Sequence, residues 1–156
     1  MNALVLSKLD YCNSLLVNLP KYLVKKLQRI QNYAVRVIKQ AKVCQSVRKH
    51  LKDLHWLPVE YRIQFQIALL TYKSLNNLAP QYLKDMLQEY CPVRTLRSSS
   101  RHYLTRKRRL NHYGSRAFSV AALKIWNSLP NDLRKTDSLE RFKADLKTHL
   151  LRIAHT

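Results

Sequence analysis

Glycine is nearly absent from this sequence. One residue of 156, Gly114, is glycine, where ordinary usage of about 7% would supply roughly 11. That scarcity removes every phosphate cradle built on two or more glycines, including the dinucleotide fingerprint and the P-loop. It also removes the Gly-x-Ser-x-Gly nucleophile elbow and the Asn-Gly or Asp-Gly hairpin. A many-stranded β fold that turns every ten residues is therefore not expected. Acids are scarce too. Nine Asp and Glu stand against 29 Lys and Arg, for a net charge of +20. No acid occurs between Asp10 and Asp53 or between Glu89 and Asp132, and those gaps hold ten and nine basic residues. Cysteine is limited to Cys12, Cys44 and Cys91. An odd number at wide spacing predicts free thiols in a reducing compartment, not a disulfide framework. Long apolar runs are missing as well. Residues 3–6 are too short for a signal peptide's hydrophobic region, and nothing approaches the roughly 20 residues of a spanning helix. A nuclear or cytoplasmic protein, not secreted and with no membrane partner, is the expectation.

What is present is a core-forming composition with helical spacing. The hydrophobic fraction of 46% suffices for one folded domain of this length. Prolines 20, 58, 80, 92 and 130 fall between periodic segments. Residues 3–18 read as a helix with Val5, Leu9, Cys12 and Leu16 on one side. From Pro20 to about Gln40 the pattern is cleanest: Leu23, Leu27, Ile30, Ala34, Val37 and Ala41 form one stripe at steps of three and four. Lys21, Lys25, Arg29, Arg36 and Lys39 then project from the opposite face, which serves either solvent or a phosphate backbone. Residues 46–55 suggest a short helix. Val59 to Ser74 carries two apolar stripes, as a helix in the middle of a bundle would. Residues 80–89 and 117–127 read as further helices, and a last one begins at Asp137, three residues before Glu140, in capping-box spacing. The fold class is mainly α: a small irregular helical bundle with a long basic loop and a short extended piece at residues 103–105. Residues 1–90 form the first helical segment, 91–116 the basic loop, and 117–156 a C-terminal helical segment packed on the first, one domain overall.

Chemistry is sparsely marked. His50 and His55 have no companion ligand, no Cys lies within three residues of another Cys or a His, and the acids stand singly. Neither a metal site nor a two-metal carboxylate centre is expected, nor any cofactor or small-molecule substrate. An enzyme is not expected. The basic loop is the more specific signal, with Arg94, Arg97, Arg101, Arg106, Lys107, Arg108, Arg109 and Arg116. Arginine grips phosphate through paired donors, and the nearby His102, Tyr103, His112 and Tyr113 are of the types that stack on unpaired bases. A solvated connection is the alternative. RNA or DNA is the leading partner of so basic a chain, and an acidic protein is the other. Trp56 and Trp126, each shortly before a proline, read as structural anchors.

An ordered set of short motifs adds a family. They are Leu9-Asp10-Tyr11-Cys12-Asn13-Ser14-Leu15-Leu16, Leu27-Gln28-Arg29-Ile30-Gln31-Asn32 and Leu54-His55-Trp56-Leu57-Pro58-Val59-Glu60-Tyr61-Arg62-Ile63. Leu70-Thr71-Tyr72-Lys73, Ala79-Pro80-Gln81-Tyr82-Leu83, Arg97-Ser98-Ser99-Ser100, Gly114-Ser115-Arg116-Ala117-Phe118-Ser119 and Trp126-Asn127-Ser128-Leu129-Pro130 follow. Together they resemble the region downstream of the polymerase core in LINE-type, jockey-like non-LTR retrotransposon reverse transcriptases. Leu123 departs from the family's usual proline and Asn77 from its common glycine. The resemblance implies a truncated element copy without endonuclease or polymerase modules, and a part that helps hold template RNA or target DNA. It further implies that Leu4, Val5, Leu6 and Leu9 expose a face that docks on the polymerase. An inert product of a truncated element is the remaining alternative.

The purified chain is expected to give no primer extension and no nicking with Mg²⁺ or Mn²⁺, because no carboxylate cluster is marked in the sequence to hold the metals. Template-dependent nucleotide incorporation that co-purifies with the chain to homogeneity would contradict this.

Overall fold

Proline does the punctuation that glycine does not supply. In the computed structural model, which describes residues 2–42, 45–90, 103–105, 114 and 117–155, the α-helices are α1 (Ser7–Asp10), α2 (Lys21–Lys39), α3 (Val47–Asp53), α4 (Val59–Leu75), α5 (Gln81–Asp85), α6 (Phe118–Ser128), α7 (Asn131–Arg134) and α8 (Leu139–His155). Pro20, Pro58, Pro80 and Pro130 stand immediately before α2, α4, α5 and α7. There the missing N–H is not needed, while the carbonyl accepts from the first turn. Leu23 N–H donates to the Pro20 carbonyl, Arg62 to Pro58 and Leu83 to Pro80, each at 3.0 Å. The chain is mainly helical. Among the described residues no β-strand forms, only one antiparallel bridge between Glu89 and Leu104.

Left-handed turns fall to residues other than glycine. Cys12, Asn18, Gln40, His55 and Asn77 have φ between 48° and 57°. Gln40 closes α2, where Ala41 N–H reaches back to the Arg36 carbonyl at 3.0 Å. Asn77 tolerates the conformation well, and its Oδ1 accepts from Lys84 Nζ at 2.7 Å. The position where the resembled family prefers glycine thus keeps its turn.

The chain divides into two compact units, Met1–Phe65 with Lys147–Thr156, and Gln66–Leu146. In the first, Leu6, Ala34, Val35, Val47, Leu51 and Trp56 form a buried cluster, with Val5, Leu9, Ile38 and Leu54 packed against it. Trp56 is thus a structural anchor. The expected continuous helix over residues 3–18 is not seen. A π-helical turn (Asn2–Leu6) runs into α1, the chain turns at Tyr11 and Cys12, and a 3₁₀ turn follows at Asn13–Leu16. The break has a polar cause. Asp10 receives Arg62 through both carboxylate oxygens and Asn13 Nδ2 through one, and Asn13 is buried. Nor do Val5, Leu6 and Leu9 make an exposed face, since they belong to this core; only Leu4 of that group is exposed.

In the second unit the core is aromatic. Tyr72 on α4 stacks on Phe142 of α8 with ring centroids 4.2 Å apart, and Trp126 of α6 lies 6.0 Å from the same ring. All three are essentially inaccessible, and removal of the Phe142 side chain from water alone contributes about 1.5–3 kcal/mol. The extended piece at 103–105 exists and is tied from two sides. Tyr90 N–H donates to the Tyr103 carbonyl at 2.8 Å and Thr105 N–H to the Gln88 carbonyl at 2.7 Å. The Asn127 amide then pairs with both backbone groups of Leu104, at 3.0 and 2.9 Å. Helix α8 starts at Leu139, and Phe142 N–H donates to the Ser138 carbonyl at 2.9 Å. Ser138 is therefore the capping residue, one position later than the capping-box spacing predicts. Apart from Glu60, every residue of α4 is buried or half-buried, as its two apolar stripes require.

Relieving a left-handed position tests this backbone reading. Gln40→Gly and His55→Gly are each expected to stabilise the chain by about 0.5–1 kcal/mol in chemical denaturation, since glycine carries no Cβ penalty there. A loss of stability in both variants would contradict it.

Candidate nucleic-acid interface

Helix α2 supplies the basic surface, and its orientation differs from the hydrophobic pattern. It buries Gln31, Ala34 and Val35, whereas Ile30 and Val37 are 51% and 62% exposed. At 100° per residue the buried face is turned by roughly 70° from the apolar stripe. Hydrogen bonds explain the turn. Gln31 Nε2 donates to the Leu57 carbonyl at 2.8 Å, and Gln28 Oε1 accepts from Val59 N–H at 2.9 Å. Gln28 Nε2 in turn donates to Gln31 Oε1 and Asn32 Oδ1, both at 2.9 Å. The two glutamines thereby satisfy the backbone on either side of Pro58, including an N–H that opens α4 and has no intrahelical acceptor. A buried amide so paired is tolerated, whereas an unpaired one costs about 1–3 kcal/mol.

Seated this way, α2 exposes Lys21, Lys25, Arg29 and Lys39. The row extends about 27 Å at 1.5 Å per residue, on a helix that carries no Asp or Glu. Lys26 is exposed beside it. Arg36 leaves the row. It is half-buried, its guanidinium lies 6.0 Å from the Tyr33 ring, and its Nε is enclosed without an acceptor. Two side chains that charge counting does not find complete the surface. Tyr22 and Tyr33 are 62% and 63% exposed. Eleven residues apart, they stand on nearly the same line of the helix, separated by about 16 Å. Exposed tyrosines of that kind offer ring faces beside cations. Their spacing is visible in the sequence, but their exposure follows only from the way α2 is seated.

The loop residues Arg94, Arg97, Arg101, Arg106, Lys107, Arg108, Arg109 and Arg116, with His102, His112 and Tyr113, lie outside the described residues. Tyr103 is described, and it is engaged: the Arg134 guanidinium sits 4.1 Å from its ring centroid. One face of that ring is therefore already covered by a cation. Arg134 itself is buried, a surprise for a basic residue in a short helix.

Other chemistry is thin. Among the described residues, no group of three or more His, Cys, Asp or Glu is placed to hold a metal ion. Cys12 is an exposed free thiol, and Cys44 and Cys91 lie outside the described residues. No described helix is long and apolar enough to cross a membrane. Compared with protein-family models, curated proteins and solved structures, the chain finds no match.

Proposed function

We propose that this chain is a non-catalytic nucleic-acid-binding segment of the kind that follows the polymerase core in a non-LTR retrotransposon reverse transcriptase. The observation that carries the reading is the exposed face of α2, where Lys21, Lys25, Arg29 and Lys39 stand with no acid on the helix. Such a row neutralises successive phosphates and releases their counterions. Tyr22 and Tyr33 add stacking surfaces for unpaired bases. The basic loop, Arg94 to Arg109, and Arg116 supply further phosphate contacts in this reading. The order of the sequence motifs supports the family, and their side chains have structural work consistent with a folded domain. Asp10 of the first motif meets Arg62 of the third, and Gln31 of the second meets the Leu57 carbonyl of the third.

A second reading takes an acidic protein as partner. Ile30 and Val37, exposed on the same helix as the tyrosines, favour it, because an amphipathic acidic helix would cover both apolar and basic groups.

The two readings separate in one set of titrations. Wild-type chain is expected to bind single-stranded RNA and duplex DNA, with log K falling against log salt by about 0.7 or 0.9 per phosphate contact. Lys21→Gln, Lys25→Gln and Arg29→Gln together lower both affinities and flatten both slopes. Tyr22→Ala with Tyr33→Ala weakens RNA binding by about 1–3 kcal/mol per lost stack and leaves the duplex nearly unchanged. Changing Arg106, Lys107, Arg108 and Arg109 to Gln weakens RNA more than duplex. If none of these sets alters affinity or slope, the charge serves another partner.

A further inference from the structure

The arginine that leaves the α2 row points to a separate site. Within the first unit, Arg36 of α2, Arg48 of α3 and His155 in the last turn of α8 line one cleft of about 390 Å³, with Asn32, Gln45 and Ser46 among its polar walls. Among the described residues no Asp or Glu lines it. Arg36 Nε and both ring nitrogens of His155 are enclosed without a hydrogen-bond partner. Arg48 spends one guanidinium nitrogen on the Ala154 carbonyl at 3.2 Å and has further N–H groups to give. Enclosed polar groups left unmet cost free energy that a hydrogen-bonding ligand would recover.

We propose that this cleft binds a phosphomonoester, the terminal phosphate of a free nucleotide or of a nucleic-acid end. Two arginines and a histidine line the cleft from three helices, which suits a dianion with three terminal oxygens better than a planar carboxylate that one arginine fork would hold. Small-molecule clefts begin near about 300 Å³, and this one, at about 390 Å³, has room for more than a bare phosphate. His155 reports on occupancy. Burial first, and then the charges of Arg48 and Lys52, hold its imidazole below the ordinary histidine range. A dianion beside it opposes that shift and raises its pKa. The site does not rest on the α2 reading, because a free mononucleotide suffices to fill it.

The test is a proton NMR titration of the full chain with adenosine 5′-monophosphate, orthophosphate and adenosine. The two phosphates are expected to move the His155 ring signals and raise its pKa, with adenosine inert and His149 as an internal reference. Arg36→Gln with Arg48→Gln lowers affinity for the mononucleotide about tenfold or more, and Lys21→Gln, Lys25→Gln and Arg29→Gln leave it unchanged. Should the double arginine variant not fold, His155→Gln and the wild-type histidine shift carry the same decision. Tighter binding of a 5′-phosphorylated than of a 5′-hydroxyl oligonucleotide assigns the site to chain ends, and equal binding assigns it to free nucleotides. Adenosine acting like its monophosphate, a motionless His155, or loss of mononucleotide binding in the lysine-row variant would each overturn the proposal. Loss of oligonucleotide binding alone in that last variant bears only on α2.

Discussion

The paired amides of Gln28 and Gln31 determine which way the basic helix faces. They engage the Leu57 carbonyl and the Val59 N–H, groups that Pro58 prevents from joining a continuous helix. The connection between α3 and α4 thereby becomes a polar seat, and α2 docks on it with two glutamines inward. Everything on the far side of α2 follows: Lys21, Lys25 and Arg29 are exposed, Tyr22 and Tyr33 stand beside them, and Arg36 is turned toward a cleft. Replacing either glutamine by an apolar residue would leave the facing backbone groups unpaired. The apolar stripe would then compete to rotate the helix.

A scarcity of glycine shapes the rest. Proline before α2, α4, α5 and α7 starts helices, and asparagine, glutamine, histidine and cysteine take the left-handed turns that stop or redirect the chain. Side chains also stand in for backbone. Asn127 offers Leu104 the donor and acceptor that a neighbouring strand would supply, so one bridge and one amide fix an extended piece without a sheet.

Much of this was legible in the sequence, for physical reasons. The spans of α2, α3, α4 and α6 follow from apolar spacing and flanking prolines, and α4's two stripes correctly mark it as buried on most sides. Extended residues at 103–105 were legible from their lack of helical period. The rotation of α2 was not, because hydropathy ranks glutamine as a surface residue and cannot see a carbonyl 26 positions away. The break after Asp10 was hidden for the same reason: its cause is Arg62, 52 residues on. Of the candidate site, the lysines of α2 were legible from charge alone. Tyr22 and Tyr33 were not, since their exposure depends on that rotation, and the inward turn of Arg36 depends on α3 and α8.

On this account a polyanion lies along the exposed face of α2, the basic loop adds further contacts, and the lysines of α6 and α8 are bystander charge. Lysine-reactivity footprinting of the full chain with and without single-stranded RNA tests that most directly. The expected result is protection of Lys21, Lys25 and Lys39, with exposed Lys124 of α6 and Lys147 of α8 still reactive. Uniform protection of all exposed lysines, or protection confined to Lys124 and Lys147, would contradict it.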